Sequence, residues 1–207
     1  MAWRCVDLPA AEGRSSRFTI VPCLVTGAKL WHMQAKSTFY TKKNFWEQIN
    51  AIPAGAPIVL VLGEIDCRDG VLKAVQKGRH ATIEAALAAV VDLYLALLRE
   101  VRQRLRRSPI FVHPVASVLP ETRFLTIAFN RLLSTASARA ALAKAEARLL
   151  EFDPVLQGGD PPPDTAPLEL SRLELLPDLR LDGTHMNPRY VDSHLAPALR
   201  RPASGHG

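Results

Sequence analysis

The chain is poor in cysteine, in aromatic residues and in long apolar runs. Its three cysteines, Cys5, Cys23 and Cys67, make an odd count with no Cys-x-x-Cys pair. That argues against a disulfide framework and a structural zinc site, and points to a reducing, intracellular (cytoplasmic) compartment. No apolar run approaches the roughly 18 residues that a membrane helix needs, so no membrane role is expected. Residues 1–18 carry Asp7, Pro9, Glu12 and several arginines without an apolar centre, unlike a secretory signal. Organelle transit peptides avoid acids, so such a leader is disfavoured too, though not excluded. The net charge of +6 is modest. Much of it lies in Arg99–Arg107 and in Arg200-Arg201, a pattern that suits a solvated helix end with cations near its C-terminal dipole. A nucleic-acid surface would interleave aromatics with these cations, and none are interleaved, so no nucleic-acid partner is expected.

What is present is enough for one globular domain: 207 residues, 48% of them hydrophobic. Phe18–Thr26 is β-rich and ends at Gly27, which reads as a strand. Residues 37–52 read as a helix carrying Phe45, Trp46 and Ile49, followed by a turn at Pro53–Pro57. Ile58–Leu62 is an unbroken apolar run of strand length, as a parallel strand covered on both faces would be. Residues 81–107 predict the clearest helix, with Ile83, Leu87, Val90, Tyr94, Leu97, Val101 and Leu105 in one stripe. Pro109–Val115 reads as another buried strand, residues 121–144 as a helix, and 148–152 as a short strand. The run Gly158–Asp164 is a surface loop. A last helix opens at Pro188 and runs to about Leu199. Strands alternating with helices imply βαβ units and an α/β fold, a three-layer α/β/α sandwich with a parallel, flavodoxin-like sheet. The predicted organisation is a flexible leader over 1–17, a single domain over 18–200 and a disordered tail over 201–207.

Two segments carry chemistry. In Leu181-Asp182-Gly183-Thr184-His185-Met186-Asn187-Pro188, an acid and an imidazole stand three residues apart. A carboxylate beside a histidine sets its tautomer and stabilises the imidazolium formed when it takes a proton. The plainer reading is that Thr184 or Asn187 caps the helix at Pro188 and His185 is a surface residue. The second segment is Gly63-Glu64-Ile65-Asp66-Cys67-Arg68, directly after the run 58–62. Ligands bind beyond the C-terminal ends of parallel strands, and three charged residues there are more than packing needs. Gly63 would allow close approach to a ligand. Arg68 would hold Glu64, Asp66 or a substrate carboxylate. A loop ion-pair network pinning the strand end is the alternative, and the two are compatible. His113, near the end of its strand, reads as a satisfied core or rim histidine. A metal site built from His113, His185 and Asp182 has no ligand spacing behind it, and no metal or other cofactor is expected.

The order of elements, the Gly63–Arg68 loop and the terminal Asp182-Gly183-Thr184-His185 resemble the SGNH (GDSL-type) hydrolase superfamily over residues 18–200. The terminal block is similar to the family's Asp-x-x-His, which completes a Ser-His-Asp triad. The loop resembles the family's Gly-x-Asn-Asp block, and more closely a branch reading Gly-Glu-Ile-Asp-Cys-Arg. Asn130 is also at home in the family's penultimate helix. The resemblance implies an esterase acting on a small-molecule ester or acylated carbohydrate. In it, His185 would be the general base, Asp182 its orienter, and donors near Gly63 the oxyanion site. Two departures stand against this. Leu24-Val25-Thr26-Gly27-Ala28-Lys29 has lysine where the family has its serine nucleophile. Either the nucleophile has been replaced, or this is the family's second strand and the first is absent upstream; the short interval from Gly27 to Gly63 favours the latter. Ile65 stands where the family has an Asn that donates to the oxyanion, a loss commonly worth about 10²–10³ in rate. Ser117 is the least unsuitable stand-in nucleophile, so the nucleophile stays unknown. The expectation is an SGNH-type hydrolase, or a degenerate copy that keeps the acid–base pair. Its rival is a non-catalytic binding protein using Asp66, Arg68 and His185 to hold an acyl or carbohydrate ligand.

Overall fold

A computed structural model describes residues 4–9, 15–151, 156–157, 162, 165–183 and 185–201. The loop expected over Gly158–Asp164, Pro162 apart, lies outside the described residues, as do Thr184 and the tail beyond 201. The fold is mixed α/β. It opens with a hairpin, β1 (Arg4–Pro9) against β2 (Ser15–Ile20), antiparallel with Val6 opposite Phe18. The stretch read as a leader therefore carries regular structure. The strand expected over 18–26 ends at Ile20 and, among the described residues, pairs only with β1. Pro22 has no N–H to give a ladder, and Val21 and Leu24 are exposed.

Next come α1 (Tyr40–Ala51), β3 (Ile58–Leu60), α2 (Val71–Gln76), α3 (Ile83–Arg104), β4 (Ile110–Val112), α4 (Arg123–Leu133), α5 (Ala136–Lys144) and β5 (Ala147–Leu149). The strands β3, β4 and β5 form a parallel sheet in that order, with Ile58 beside Ile110 and Ile110 beside Ala147. Both sides of β3 and β4 are apolar because both are packed. Ile58, Leu60, Ile110 and Val112 join a core with Phe45, Leu98 and Leu125. Val59 and Phe111 pack instead with Val6, Leu195 and Leu199. Each strand is shorter than its apolar run. After Leu60 the chain leaves the sheet, and Val61 is exposed. After Val112 only the His113 N–H still reaches back, to the Leu60 carbonyl at 2.9 Å.

Helix α3 follows its sequence pattern. Thr82 caps it by accepting the Ala85 N–H at 3.1 Å. Leu87, Val90, Tyr94, Leu97 and Val101 are buried along one stripe. The Tyr94 hydroxyl donates to the Leu60 carbonyl, tying the helix to the sheet. Part of the basic run at its end is structural. The Arg102 guanidinium donates to the carbonyls of Leu105, Arg106, Ala145 and Glu146. Arg104 lies 4.2 Å over the Trp46 ring.

The helix expected over 121–144 is two helices, α4 and α5. Ser134 and Thr135 divert the backbone: their hydroxyls bond the carbonyls of Asn130 and Leu132, and Thr135 caps α5. Beyond β5 lie β6 (Leu156–Gln157), α6 (Pro167–Arg172), β7 (Glu174–Leu175) and α7 (Ala196–Arg200), the last entered through a π-type turn at Val191–Leu195. Among the described residues, no helix is long and apolar enough to cross a membrane.

Candidate functional site

Asp182 and His185 lie on one tight turn. Arg180 and Met186 form a bridge across it, and the Leu181 N–H donates to the His185 carbonyl at 3.0 Å. The Asp182 carboxylate accepts the His185 backbone N–H at 2.8 Å and meets ring Nδ1 at 2.9 Å. A nitrogen facing a carboxylate carries the proton, so proton transfer at this ring would run through Nε2. That is the orientation an acid–base pair requires. The side chains are, however, 72% and 51% exposed. Met186, Tyr190 and Ala116 pack on one cluster of Val118, Leu175 and Leu179, which sets the turn near the segment that follows β4.

The Gly63–Arg68 segment is the start of a helix rather than an open loop. Gly63 has φ +109°, and a Cβ there would stand 3.0 Å from Phe129 Cε1 and 3.1 Å from Val115 Cγ2. Its carbonyl accepts the Cys67 N–H, a helical contact, and a π-type turn over Asp66–Gly70 leads into α2. Such turns widen a helix locally and often mark special sites. Glu64 and Arg68, one turn apart, pair with each other at 3.2 Å on the surface. Asp66 is 1% exposed and faces inward. Its carboxylate accepts the N–H groups of Leu30 at 2.7 Å and Trp31 at 3.2 Å, holding the 3-10 turn at Leu30–Met33. Burial raises the Asp66 pKa, against the pull of those N–H groups and of Lys29. Cys67 is buried, and its thiol is pushed up chiefly by burial, then by Asp66 and Glu64.

The segment after β4 supplies the remaining candidates. His113 is buried, donates from Nδ1 to the Pro114 carbonyl and meets the Tyr190 ring edge-on at 5.6 Å. Burial pushes it down to about 4, although the Pro114 bond opposes that. Asn130 brackets Val115: Oδ1 accepts its N–H at 2.8 Å and Nδ2 donates to its carbonyl at 2.9 Å. Ser117 is buried. Thr126 gives its hydroxyl proton to the Arg123 carbonyl, so the Ser117 hydroxyl donates to Thr126 Oγ1 at 2.7 Å. Lys29, in the serine's expected place, is bound to Asp69 at 2.7 Å.

A Cβ on Gly63 would meet Val115, and the Asp182–His185 turn shares a cluster with Ala116 and Val118, so both lie near residues 113–118. The charged members of the Gly63 segment are engaged elsewhere, Glu64 with Arg68 and Asp66 with the backbone at Leu30. Asp66 lines a separate cleft of about 160 Å³, with Lys29, Trp31 and Asp69 among its walls. Sequence reading did not single out Trp31 or Asp69. The Asp69–Lys73 spacing, one helical turn and an ion pair at 2.5 Å, was their only local signal. Among the described residues, no three His, Cys, Asp or Glu side chains gather to hold a metal ion. Comparison with protein families, curated proteins and solved structures finds no match to the chain.

Proposed function

We infer that the chain is a degenerate SGNH-hydrolase-like protein, a three-layer α/β/α sandwich that keeps the Asp182–His185 pair without turning an ester over. In an intact relay a serine would attack an ester carbonyl. His185 would take its proton through Nε2 and return it to the leaving alcohol, with Asp182 holding the ring. The likeness of the Gly63–Arg68 and Asp182–His185 blocks to the family's own supports the ancestry. The observation that carries the loss of turnover is Ser117, whose hydroxyl is buried and committed to Thr126. Lys29 offers no replacement while it is bound to Asp69. Glu64, Asp66 and Arg68 have become parts of a helix start, consistent with a segment released from catalytic duty.

The test joins a fluorophosphonate label, which reports an activated serine, with p-nitrophenyl acetate hydrolysis. The expected result is no label on any serine. Ester cleavage should be no faster than an exposed imidazole gives, and His185→Ala should lower it only by that share. Stoichiometric labelling of one serine, lost in His185→Ala, would return the protein to the active hydrolases.

A further inference from the structure

Among the charged residues of the cleft bordered by Asp66, cations outnumber acids. Lys29, Lys73, Lys77 and Arg79 line it, against the two carboxylates Asp66 and Asp69. Asp69 is shared between Lys29 at 2.7 Å and Lys73 at 2.5 Å, and these two ammonium groups lower its pKa to about 2. Lys77 and Arg79 are exposed, and neither has a carboxylate partner among the described residues. The cleft therefore holds at least two positive charges beyond what its own acids neutralise.

The chain builds this arrangement deliberately at the end of α2. Gly78, at φ +66°, donates to the Val75 carbonyl, and Arg79 N–H donates to Ala74, a Schellman ending. That turn sends Lys77 and Arg79 to the same opening as Lys73. Arg79 lies 5.8 Å over the Trp31 ring, and His80 meets the same ring edge-on at 6.3 Å. Behind the cations the lining is apolar, with Val71, Ala86 and Val90. A volume of about 160 Å³ suits a single ring or short aliphatic group; an apolar cavity of about 150 Å³ holds benzene.

We propose that this cleft binds a small organic phosphomonoester, with its apolar body between Trp31 and the Val71–Val90 lining and its phosphate at Lys73, Lys77 and Arg79. A phosphomonoester carries about −1.5 to −2 charges at neutral pH, which matches the excess of two. A carboxylate would leave one charge unanswered. The site is independent of the Asp182–His185 reading, since neither residue lines it.

The experiment is calorimetric titration of the whole chain with phenyl phosphate, inorganic phosphate and phenol in turn. Phenyl phosphate should saturate with a Kd of about 1 mM or tighter, ahead of inorganic phosphate, with phenol negligible. Lys77→Ala/Arg79→Ala should weaken it about tenfold or more, because two charge-assisted contacts are lost. Both residues are exposed, so the melting temperature should not move. His185→Ala should bind as the unaltered chain does, which separates this outcome from that of the hydrolase question. Absence of saturable binding would overturn the proposal. So would equal affinity in the double variant with an unchanged melt, or loss of binding in His185→Ala. Binding confined to phosphatidic-acid vesicles, with none of phenyl phosphate, would overturn it in favour of a lipid surface.

Discussion

Replacing Asp66 separates a bracket from a ligand-binding acid. Its carboxylate holds two backbone N–H groups of the Leu30–Met33 turn, and the side chain is buried. Asp66→Ala leaves both donors without an acceptor. A buried donor left unmade costs about 1–3 kcal/mol, and the change also relieves a carboxylate that burial disfavours. The net loss should be about 2–3 kcal/mol at neutral pH. Asp66→Asn retains the shape and one accepting oxygen but turns an NH₂ toward the other donor, so about half of that loss is expected. The pH dependence distinguishes the two further. The folded-state pKa of Asp66 is raised, so the folded protein holds this proton more tightly than the unfolded chain. Relative to Asp66→Asn, the unaltered protein should be most stable below the ordinary carboxylate range. It should lose that margin as pH rises through the folded pKa. Urea unfolding across an acid-to-neutral series measures both quantities. An Asp66→Ala variant within about 0.5 kcal/mol of the parent, the range of ordinary surface changes, would refute the bracket. A margin that grows with pH would refute the sign.

Three other outcomes follow from the same geometry. Gly63→Ala should cost about 2–4 kcal/mol in denaturant unfolding, since it combines left-handed backbone with a Cβ 3.0 Å from Phe129; a cost under about 0.5 kcal/mol would show the backbone can relax there. His113 is held neutral in the fold, down to about 4. The unfolded chain therefore takes up a proton first, and stability should fall by up to about 3 kcal/mol as pH drops from about 6.5 toward 4. His113→Asn should flatten that slope. A thiol reagent should label Cys5 and Cys23, both exposed, while Cys67 reacts only after unfolding; three fast thiols would contradict its burial.

Legibility followed the range of the interactions. The cores of β3 and β4 were readable because apolar runs between turn residues have few other uses. Helix α3 was readable from its stripe. The break between α4 and α5 was hidden, because the apolar period continues across it and only the hydroxyls of Ser134 and Thr135 mark it. The hairpin β1–β2 was missed because Ser15-Ser16-Arg17 has no strand pattern of its own, and Val6 is buried by distant α7. In the candidate site, the Asp182–His185 contact was legible because it spans three residues. Glu64 and Arg68 were read as a pocket wall or an ion-pair network, and the structure shows the ion pair, at helical spacing. Asp66 could not be assigned, since its partners at Leu30 and Trp31 are 36 and 35 residues away. Asn130 was likewise opaque until the fold brought Val115 beside it.

That locality limits what an Asp-x-x-His pattern can mean. The Asp182 carboxylate accepts the His185 N–H, and this alone carries the ring to within reach of the same carboxylate. The turn builds the alignment for its own backbone, so the alignment is not evidence of selection for proton transfer. A working relay needs more than orientation. Its charges act strongly only where water is excluded and the effective dielectric is low. At 72% exposure His185 stands largely in water, where an ion pair is worth no more than about 1 kcal/mol. Buried His113, in the drier place at the end of β4, is spent on its own backbone and on Tyr190. The dry position and the well-oriented imidazole thus belong to different histidines, and that separation argues against turnover more directly than any missing serine does.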